Sequence, residues 1–349
     1  MTIRILADDL TGALDAAAPF ARPGAPVRLL LGCAKAPAEG GAVTVSSESR
    51  DLPGAEAKAA VARAFAALEM AGGGSGGVTG AGAPVWFKKV DSVLRGNSLP
   101  DTLETMRLGG FDTCLFAPAF PGMGRRTVGG LHEVAGPDSW APAPVHDLVA
   151  AFAALGVAAR PLDPEAPGTG VLIGDAAEQA DLTRAAEALR GRDRVLWAGS
   201  RGLAEALAGG AAPLRLPRVA TVIVGTATAA SRAQVETALK AGVFRAGRRL
   251  LDPVPVAADP AATLRAIAEA APGVAAGPGR ALMVIGGDTL TALLAAVGAG
   301  GLDCLGEVAP GLPLSRIRGG RLDGAELVSK SGGFGDAGLL VRILGEDRV

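Results

Sequence analysis

Residues 3–15 read IRILADDLTGALD, and this stretch indicates the fold class of the whole chain. Ile3 to Ala7 is a short apolar run that predicts a buried strand, and Thr11 to Ala21 has the composition of a helix. The adjacent carboxylates of Asp8 and Asp9 stand at the junction. A strand that leads directly into a helix is the building unit of α/β proteins, which bind ligands beyond the carboxyl ends of parallel strands.

The alternation of short apolar runs with alanine-rich helical stretches continues along the chain. Further strands are predicted at Val27–Leu31, Ala42–Ser46, Val85–Val90, Thr113–Ala117, Val171–Gly174, Val195–Ala198, Val219–Val224 and Ala281–Ile285. Helices are predicted at Glu56–Met70, Ser231–Ala241, Ala261–Ala270 and Thr289–Val297. This order predicts an α/β protein with largely parallel sheets that are flanked by helices.

A chain of 349 residues is long enough for two domains. The Gly- and Pro-rich segment 209–218 is followed at once by a predicted strand, so the expected domains are residues 1–212 and 213–349. The glycine-rich segment 71–83 lies between a helix and a strand of one unit. We therefore interpret it as a loop insertion rather than a domain boundary.

Composition excludes several classes of protein. Hydrophobic residues make up 49% of the chain and the net charge is -1, which excludes intrinsic disorder and argues against partnership with nucleic acids or anionic membranes. The three cysteines are far apart, so neither a disulfide framework nor a CxxC-type zinc site is expected. Asp8 and Asp9 stand where a signal peptide would have its apolar core, which favours a cytoplasmic protein without a membrane span.

Two polar clusters of the first half follow predicted strands. In Asp8-Asp9-Leu10-Thr11-Gly12, one carboxylate could simply cap the helix, but a pair can bind a sugar hydroxyl or a cation, or abstract a proton. In residues 88–97, KKVDSVLRGN, Arg95 and a lysine could bind a carboxylate or a phosphate. The alternative for the second cluster is a solvated loop of mixed charge.

Two further loops have the composition of anion sites. Residues 117–127, APAFPGMGRRT, are stiffened by Pro and Gly and end in Arg125 and Arg126, which could hold an anion in a fixed pose or be merely exposed. Ser200, in the segment 199–202 between a strand and a helix, could join backbone amides in receiving an anion.

The second half carries three Gly/Ser/Thr loops, GTAT (225–228), GGDT (286–289) and KSGGFG (330–335), of which the first two precede predicted helices. Together they predict a cradle for a polyphosphate. None matches the P-loop or the dinucleotide-binding fingerprint, so neither a P-loop ATPase nor a Rossmann dehydrogenase is supported.

With these motifs, the chain resembles the four-carbon acid sugar kinases, which are ATP-dependent kinases of threonate, erythronate and oxo-tetronate type acids. The resemblance rests on ADDLTGALD (7–15), KKVDSVLRGN (88–97), APAFPGMGRRT (117–127), GDAAEQADL (174–182), GSRGLAEAL (199–207), GGDT (286–289) and KSGGFG (330–335). It implies an N-terminal domain that binds the sugar acid, a C-terminal domain that binds ATP, an active site in the cleft between them, and a homodimer as an allowed assembly.

The resemblance also implies roles for individual residues. The carboxylates expected to act as the base or to orient a hydroxyl are Asp8, Asp9 and, in reserve, Asp91. The substrate pocket is expected to contain Thr11, Lys89, Arg95, Asn97, Arg125 and Ser200, with Arg95 or Arg125 on the substrate carboxylate. The nucleotide is expected to contact Thr226, Thr228, Gly286, Gly287, Asp288, Thr289, Gly332 and Gly333, and Asp288 is the expected Mg²⁺ ligand.

The expected reaction is transfer of the γ-phosphoryl group of Mg-ATP to the terminal hydroxyl of a four-carbon acid. The region 128–170 is compressed relative to the family, which leaves the particular acid open. A kinase of another small hydroxy acid and a non-catalytic sugar-acid or nucleotide sensor are the alternatives. A cysteine nucleophile is disfavoured because Cys114 and Cys304 lie in apolar surroundings, and His132 and His146 are interpreted as surface or packing residues.

Overall fold

The structure, a computed structural model, describes residues 2–32, 41–71, 84–136, 138–244, 248–274 and 280–345. The chain divides into two compact units. The N-terminal unit comprises Met1–Phe20 and Lys35–Ala211, and the C-terminal unit comprises Ala21–Ala34 and Ala212–Val349. Cys33 and most of the glycine-rich segment 71–83, whose interpretation as a loop insertion was given above, lie outside the described residues.

Strands and helices alternate through most of the chain. The strands are β1 (Ile3–Ala7), β2 (Val27–Leu30), β3 (Val43–Ser46), β4 (Val85–Lys89), β5 (Thr113–Ala117), β6 (Arg125–Val128), β7 (Leu131–Ala135), β8 (Trp140–Asp147), β9 (Ala159–Pro161), β10 (Gly170–Ile173), β11 (Val195–Gly199), β12 (Val219–Val224), β13 (Arg249–Leu251), β14 (Ala281–Ile285), β15 (Gly301–Ala309), β16 (Leu312–Arg318) and β17 (Glu326–Lys330). The α-helices are α1 (Leu10–Ala17), α2 (Gly54–Met70), α3 (Ser98–Gly109), α4 (Leu148–Ala154), α5 (Gln179–Leu189), α6 (Arg201–Ala208), α7 (Ala229–Lys240), α8 (Pro260–Ala270), α9 (Gly287–Ala296) and α10 (Leu339–Gly345).

The main sheet of the N-terminal unit is parallel, with the strand order β3-β1-β4-β11-β5-β10-β9. All residues of β1 and β5 are buried, as expected for strands that helices cover on both faces. The predicted bounds of these two strands are confirmed. Because β1 lies between β3 and β4 and runs parallel to both, the segments that follow these three strands begin side by side at one edge of the sheet.

A small antiparallel sheet of β6, β7 and β8 completes the N-terminal unit, and the sequence pattern did not predict it. Its strands contain charged residues and prolines, so no apolar run marks them. Backbone hydrogen bonds of 3.0 and 2.8 Å join Thr127 and Ala176. The buried ring of His132 also connects this sheet to the main body, because it lies 2.9 Å from the carbonyl oxygen of Ser92.

The sheet of the C-terminal unit is mixed, with the order β13-β12-β14-β17-β16-β15-β2. The pairs β13-β12, β12-β14 and β14-β17 are parallel. The pairs β17-β16, β16-β15 and β15-β2 are antiparallel. The α/β class is confirmed, although the antiparallel half differs from the largely parallel arrangement expected. Two residues, Pro310 and Gly311, connect β15 to β16, and Gly311 has the positive φ of 73° that a tight turn favours.

Strand β2 is the part of the segment Ala21–Ala34 that joins the C-terminal unit, where it pairs antiparallel with β15. Sequence patterns identified the strand but placed it with its neighbours in the chain, since a strand does not carry a signal for its distant partner. No helix among the described residues has both the length and the apolar character needed to cross a membrane.

Candidate functional site

Charged side chains gather at the carboxyl ends of β1, β3 and β4. We call them the N-terminal cluster, defined as Asp8, Asp9, Arg50, Lys88, Lys89, Asp91, Arg95, Asp101 and Arg125. These residues belong together because their charges shift one another's pKa values. The sequence-predicted residues Asp8, Asp9, Lys89, Asp91, Arg95 and Arg125 are thus brought into one region of the N-terminal unit.

Arg50 is the central cation of the N-terminal cluster. Its Nε donates to Asp8 Oδ2 and its Nη1 to Asp9 Oδ2, both at 2.8 Å, and its Nη2 lies 4.0 Å from Asp91 Oδ1. Burial opposes the charge of Arg50, but these carboxylates outweigh it and raise the pKa of the guanidinium above its usual value. Sequence patterns did not single out Arg50, although the polar segment SSESR (46–50) ends a predicted strand and was open to the same reasoning as Asp8.

The two adjacent aspartates have different surroundings. Asp9 caps α1: it accepts hydrogen bonds from the Gly12 amide at 2.8 Å and the Thr11 hydroxyl at 2.9 Å. The side chain of Asp9 is 19% exposed, whereas that of Asp8 is 1% exposed. Asp9 is therefore the more accessible carboxylate, while Asp8 is buried against Arg50.

The carboxylate of Asp8 is held ionised in spite of its burial. Burial favours the neutral acid, but the positive charges of Arg50, Lys88 and Lys89 together lower the pKa of Asp8 below its usual value. Asp8 Oδ1 is buried and has no hydrogen-bond partner among the described residues. Its ionisation thus depends on the surrounding cations.

Asp91 and Arg95 form a closed turn after β4. Asp91 Oδ2 accepts from the Arg95 amide at 3.0 Å and from Arg95 Nε at 2.9 Å, and Oδ1 accepts from Arg95 Nη2 at 2.6 Å. The hydrogen bonds and charge of Arg95, with the charge of Arg50, overcome the effect of burial and lower the pKa of Asp91. Leu94 adopts a φ of 61° within this turn. The fork of Arg95 is therefore already occupied by a carboxylate of the protein.

Gly96 and Asn97 fix the segment that carries Arg50. Asn97 Nδ2 donates to the carbonyls of Ser49 and Leu52 at 2.8 Å and of Arg50 at 3.3 Å. Gly96 has a φ of 65°, and a Cβ there would collide with the carbonyl oxygen of Arg50. The substrate contact expected for Asn97 therefore competes with three backbone contacts that its amide already makes.

Two neighbouring lysines of β4 are buried and have different partners. Lys88 Nζ lies 3.7 Å from Asp101 Oδ2, and Asp101 also accepts a hydrogen bond from Ser49. Lys89 Nζ donates to the carbonyl of Val90 at 2.8 Å. Within the part of the chain that the structure describes, no carboxylate forms an ion pair with Lys89.

Arg125 and Ser200 lie on other strands and loops: Arg125 begins β6, and Ser200 directly follows β11. Arg125 Nη1 donates to the Met123 carbonyl, its Nε is buried without a partner among the described residues, and burial lowers the pKa of the guanidinium. Ser200 is fully buried, caps α6 through the amide of Gly202 at 3.0 Å, and donates to the Ala119 carbonyl at 2.6 Å. The hydroxyl of Ser200 is thus used to fix the loop that leads to Arg125.

The N-terminal cluster has more cations than carboxylates. Arg50 pairs with Asp8 and Asp9 and lies 4.0 Å from Asp91, and further ion pairs join Arg95 to Asp91 and Lys88 to Asp101. Among the described residues, Lys89 and Arg125 have no carboxylate at ion-pair distance. Five cations against four carboxylates leave one surplus positive charge, which suits an anionic ligand.

Three loops meet in the C-terminal unit at the carboxyl ends of the adjacent parallel strands β12, β14 and β17. They are the β12 loop (225–228), the β14 loop (286–289) and the β17 loop (331–335). The Gly286 amide donates to the Lys330 carbonyl at 2.9 Å, and Thr228 Oγ1 donates to the Gly332 carbonyl at 2.8 Å. A Cβ on Gly332 would lie 2.7 Å from Thr226 Oγ1, so these loops need glycine to approach this closely.

The other predicted nucleotide contacts lie on the same loops. Gly287 and Asp288 begin α9, with Asp288 exposed, and Gly333 is exposed in the β17 loop. The hydroxyl of Thr289 is buried without a partner among the described residues, and a Cβ on Gly286 would lie 2.7 Å from it. In the residues that the structure describes, no three His, Cys, Asp or Glu side chains form a metal-binding group.

Neither histidine is a predicted site residue, although Asp91 and Arg125 of the N-terminal cluster influence the pKa of His132, which burial lowers. His132 is buried, with its Nδ1 3.0 Å from the Thr127 hydroxyl, and His146 Nδ1 lies 2.9 Å from the His132 carbonyl. Cys114 and Cys304 are buried, and burial raises the pKa of the Cys114 thiol far from the range of a nucleophile.

Comparison with known proteins decides the family. Two family models match, the sugar-binding N-terminal domain over residues 3–152 and the nucleotide-binding C-terminal domain over residues 257–340. A D-threonate kinase of Cupriavidus necator is 31% identical, with 97% of this chain and 96% of that protein covered. The chain belongs to the four-carbon acid sugar kinase family. D-threonate kinases of Salmonella typhimurium and Bordetella bronchiseptica are 27% and 28% identical, covering 96% and 97% of this kinase and 96% of each relative.

Solved structures agree with the fold of this kinase. A Salmonella typhimurium LT2 protein described as a candidate tRNA synthase matches with a TM-score of 0.74 at 20% identity, covering 97% of this chain and 98% of that one. A Haemophilus influenzae protein matches with a TM-score of 0.69 at 18% identity, covering 98% and 99%. These two structures support the fold, whereas the family models and the D-threonate kinase relatives confirm the family resemblance that the motifs indicated.

The family models cover the two groups of site residues unequally. The sugar-binding match includes every member of the N-terminal cluster but not Ser200. The nucleotide-binding match includes the β14 and β17 loops but begins after the β12 loop. It is the contact of Thr228 with Gly332 that joins the β12 loop to the other two.

Proposed function

We propose that this kinase phosphorylates the terminal hydroxyl of a four-carbon sugar acid of the threonate type, with ATP as the donor. The curated relatives act on D-threonate by name. In this reaction the acceptor oxygen forms a bond to the γ-phosphorus and the bond from that phosphorus to the β–γ bridging oxygen breaks. ADP leaves, and the hydroxyl proton is released.

The observation that carries the proposal is the charge balance of the N-terminal cluster. A sugar acid needs cations for its carboxylate and acceptors for its hydroxyls. Lys89 and Arg125 supply positive charge that no described carboxylate neutralises, and Asp9 supplies an acceptor that is partly exposed. A planar guanidinium matches a carboxylate better than an ammonium does, so we assign the substrate carboxylate to Arg125 rather than to the already paired Arg95.

Asp9 is the carboxylate that we propose to orient the acceptor hydroxyl and to receive its proton. It is more exposed than Asp8 or Asp91, and Thr11 and Gly12 hold its position. Phosphoryl transfer passes through a loose transition state, so orientation and neutralisation of charge matter more than a strong base. The hydrogen bond from Arg50 Nη1 to Asp9 Oδ2, 2.8 Å long, helps to orient this carboxylate.

The nucleotide is proposed to bind at the β12, β14 and β17 loops. Glycines at 286 and 332 leave room for a polyphosphate to approach the backbone, and the buried Thr289 hydroxyl lacks a described partner. Mg²⁺ takes one or two carboxylates and several phosphate or water oxygens, so the single exposed carboxylate of Asp288 fits it. When bound, Mg²⁺ neutralises charge on the phosphoryl oxygens. A cytoplasmic location, where ATP is present, and assembly as a homodimer complete the proposal.

A coupled assay of ADP release tests the activity. Purified protein with Mg-ATP is expected to turn over with at least one acid from a panel of threonate, erythronate and oxo-tetronate stereoisomers. A polyol of the same length without a carboxylate should give no more than the background rate without acceptor, because it leaves the surplus positive charge uncompensated. Absence of turnover with every acid would contradict the proposed function, and turnover with another hydroxy acid alone would correct the substrate.

Replacing Arg125 tests the assignment of the substrate carboxylate. Arg125→Met is expected to raise the KM for the acid about 10- to 100-fold, the value of one or two charge-assisted hydrogen bonds, and to leave the KM for ATP unchanged. Arg126→Met is the matched control, because Arg126 pairs with Glu133 and stacks on Trp140. An unchanged acid KM in Arg125→Met, with a raised one in Arg95→Met, would reverse the assignment.

A further inference from the structure

Side chains bind the carbonyl groups of the β17 loop from two directions. Lys330 Nζ donates to the carbonyls of Ser331 and Phe334, both at 2.9 Å. Gln234 Nε2, from α7, donates to the carbonyls of Phe334 and Gly335, both at 2.8 Å. Both side chains are buried, so these contacts are shielded from competition with water.

The carbonyl of Gly332 is bound in the same way by two hydroxyls. Thr228 Oγ1 donates to it at 2.8 Å and Ser231 Oγ at 2.6 Å. Thr228 is the N-cap residue of α7 but makes no side-chain cap bond, so its hydroxyl serves the β17 loop instead. Four carbonyls of this loop are therefore held by four side chains of the β12 loop, α7 and β17.

These contacts decide what the backbone amides of the β17 loop can do. In a planar trans peptide the N–H points away from the C=O of the same unit, and the described chain has no cis peptide. The amides opposite the carbonyls of Ser331, Gly332 and Phe334 belong to Gly332, Gly333 and Gly335. None of these three amides has an acceptor among the described residues, so they lie on the side away from the four side chains.

The charge of this region points to an anion. Lys330 is 1% exposed, and no carboxylate among the described residues forms an ion pair with it. Burial lowers the pKa of Lys330 to about 8, so this amine is still protonated in most molecules at neutral pH. A donor on a carbonyl also polarises the N–H of the same peptide unit, so Lys330 strengthens the amides of Gly332 and Gly335 as donors. Three unpaired amides on one loop, whose carbonyls are polarised from the opposite side by a buried cation, form a receptor for an oxyanion.

We propose that Thr228, Ser231, Gln234 and Lys330 are positioning residues that hold the carbonyls of the β17 loop, so that its three free amides bind a phosphate group of the nucleotide. The inference rests on the proposed function and deepens it. It also gives Thr228 a different role from direct contact with the phosphate. The adenosine moiety takes no part in this contact, and affinity for it should be independent of the four side chains.

Calorimetric titration without any sugar acid tests the inference. Lys330→Met is expected to weaken the binding of Mg-ATP about tenfold or more, the value of hydrogen bonds from a charged donor, and to leave the affinity for adenosine unchanged. Thr228→Val should weaken Mg-ATP binding about fivefold, and Thr228→Ser should restore it because the hydroxyl is retained. The Thr228 pair preserves the test if Lys330→Met fails to fold, since Thr228 is exposed.

Thr237→Val is the matched control, because the hydroxyl of Thr237 binds only the Ala233 carbonyl one turn earlier in α7. Its Mg-ATP affinity should equal that of the wild type. If the wild type binds Mg-ATP and Thr228→Val binds it equally well, the inference is wrong while the proposed function stands. Equal losses of ATP and adenosine affinity would overturn the inference too, and a wild type that binds no ATP would contradict both.

Discussion

Arg50→Met is expected to lower both stability and turnover more than any other single substitution considered for this kinase. Arg50 compensates the buried carboxylate of Asp8 and fixes Asp9. Breaking a buried ion pair by removing one partner costs about 3–5 kcal/mol of unfolding free energy. Displacement of Asp9 by about 1 Å should lower kcat/KM about 100-fold or more. Thermal melting and steady-state kinetics with the best acid of the panel measure the two effects.

The loss of thermal stability in Arg50→Met should depend on pH, and the pKa of Asp8 gives the direction of this dependence. In the wild type, folding lowers the pKa of Asp8 below the value of about 3.9 in the unfolded chain. The ionised carboxylate therefore stabilises the folded state above that pH, and this stabilisation is lost as the pH falls through the pKa of the folded state. Removing Arg50 raises the pKa of Asp8, because burial is then opposed only by the lysines. The melting deficit of Arg50→Met should therefore be smaller near pH 4 than at pH 7. A deficit that is constant with pH would contradict the role given to Asp8.

Two further variants sharpen the interpretation of Arg50→Met. Arg50→Lys keeps the charge but loses the fork that reaches two aspartates, so it should recover part of the stability and little of the turnover. Arg63→Met is the control, since Arg63 is an exposed residue of α2 in the same unit. It should behave as the wild type in both measurements.

Gly96→Ala is expected to have the second largest effect. The new Cβ would collide with the Arg50 carbonyl, so the backbone of Arg50 must shift, and we expect this shift to displace the Arg50 guanidinium. We expect kcat/KM for the acid to fall about 100-fold through this displacement. The affinity for ATP should not change, because the β12, β14 and β17 loops belong to the other unit.

Gly156→Ala is a matched control for backbone strain. Gly156 has a φ of 78°, similar to the 65° of Gly96, but a Cβ there would meet nothing within 4 Å. Both variants carry the cost of about 1–2 kcal/mol that an alanine incurs in the left-handed region, and only Gly96→Ala adds the collision. Equal kcat/KM values in the two variants would show that the close approach to Arg50 does not matter.

Local patterns in the sequence were enough to predict the buried strands and most of the loops at their carboxyl ends. Strands such as β1, β5, β12 and β14 are apolar runs of four to six residues, and the polar residues that follow them mark the ends of the sheet. The small sheet of β6 to β8 has no such run. The sequence pattern did not predict the hairpin of β15 and β16 either, although Pro310 and Gly311 mark its turn.

The sequence by itself determined the family and predicted the residue types of the two candidate sites. Only the tertiary structure decided which side chain does what, because that depends on partners far away in the chain. Arg50 gains its importance from Asp8, 42 residues earlier, and Thr228 from Gly332, 104 residues later. Asn97 and Ser200, predicted at the substrate, also bind backbone carbonyls distant in the sequence, which no local pattern reveals. A polar residue carries the same local signal whether it meets a ligand or a distant carbonyl, and only the folded chain distinguishes them.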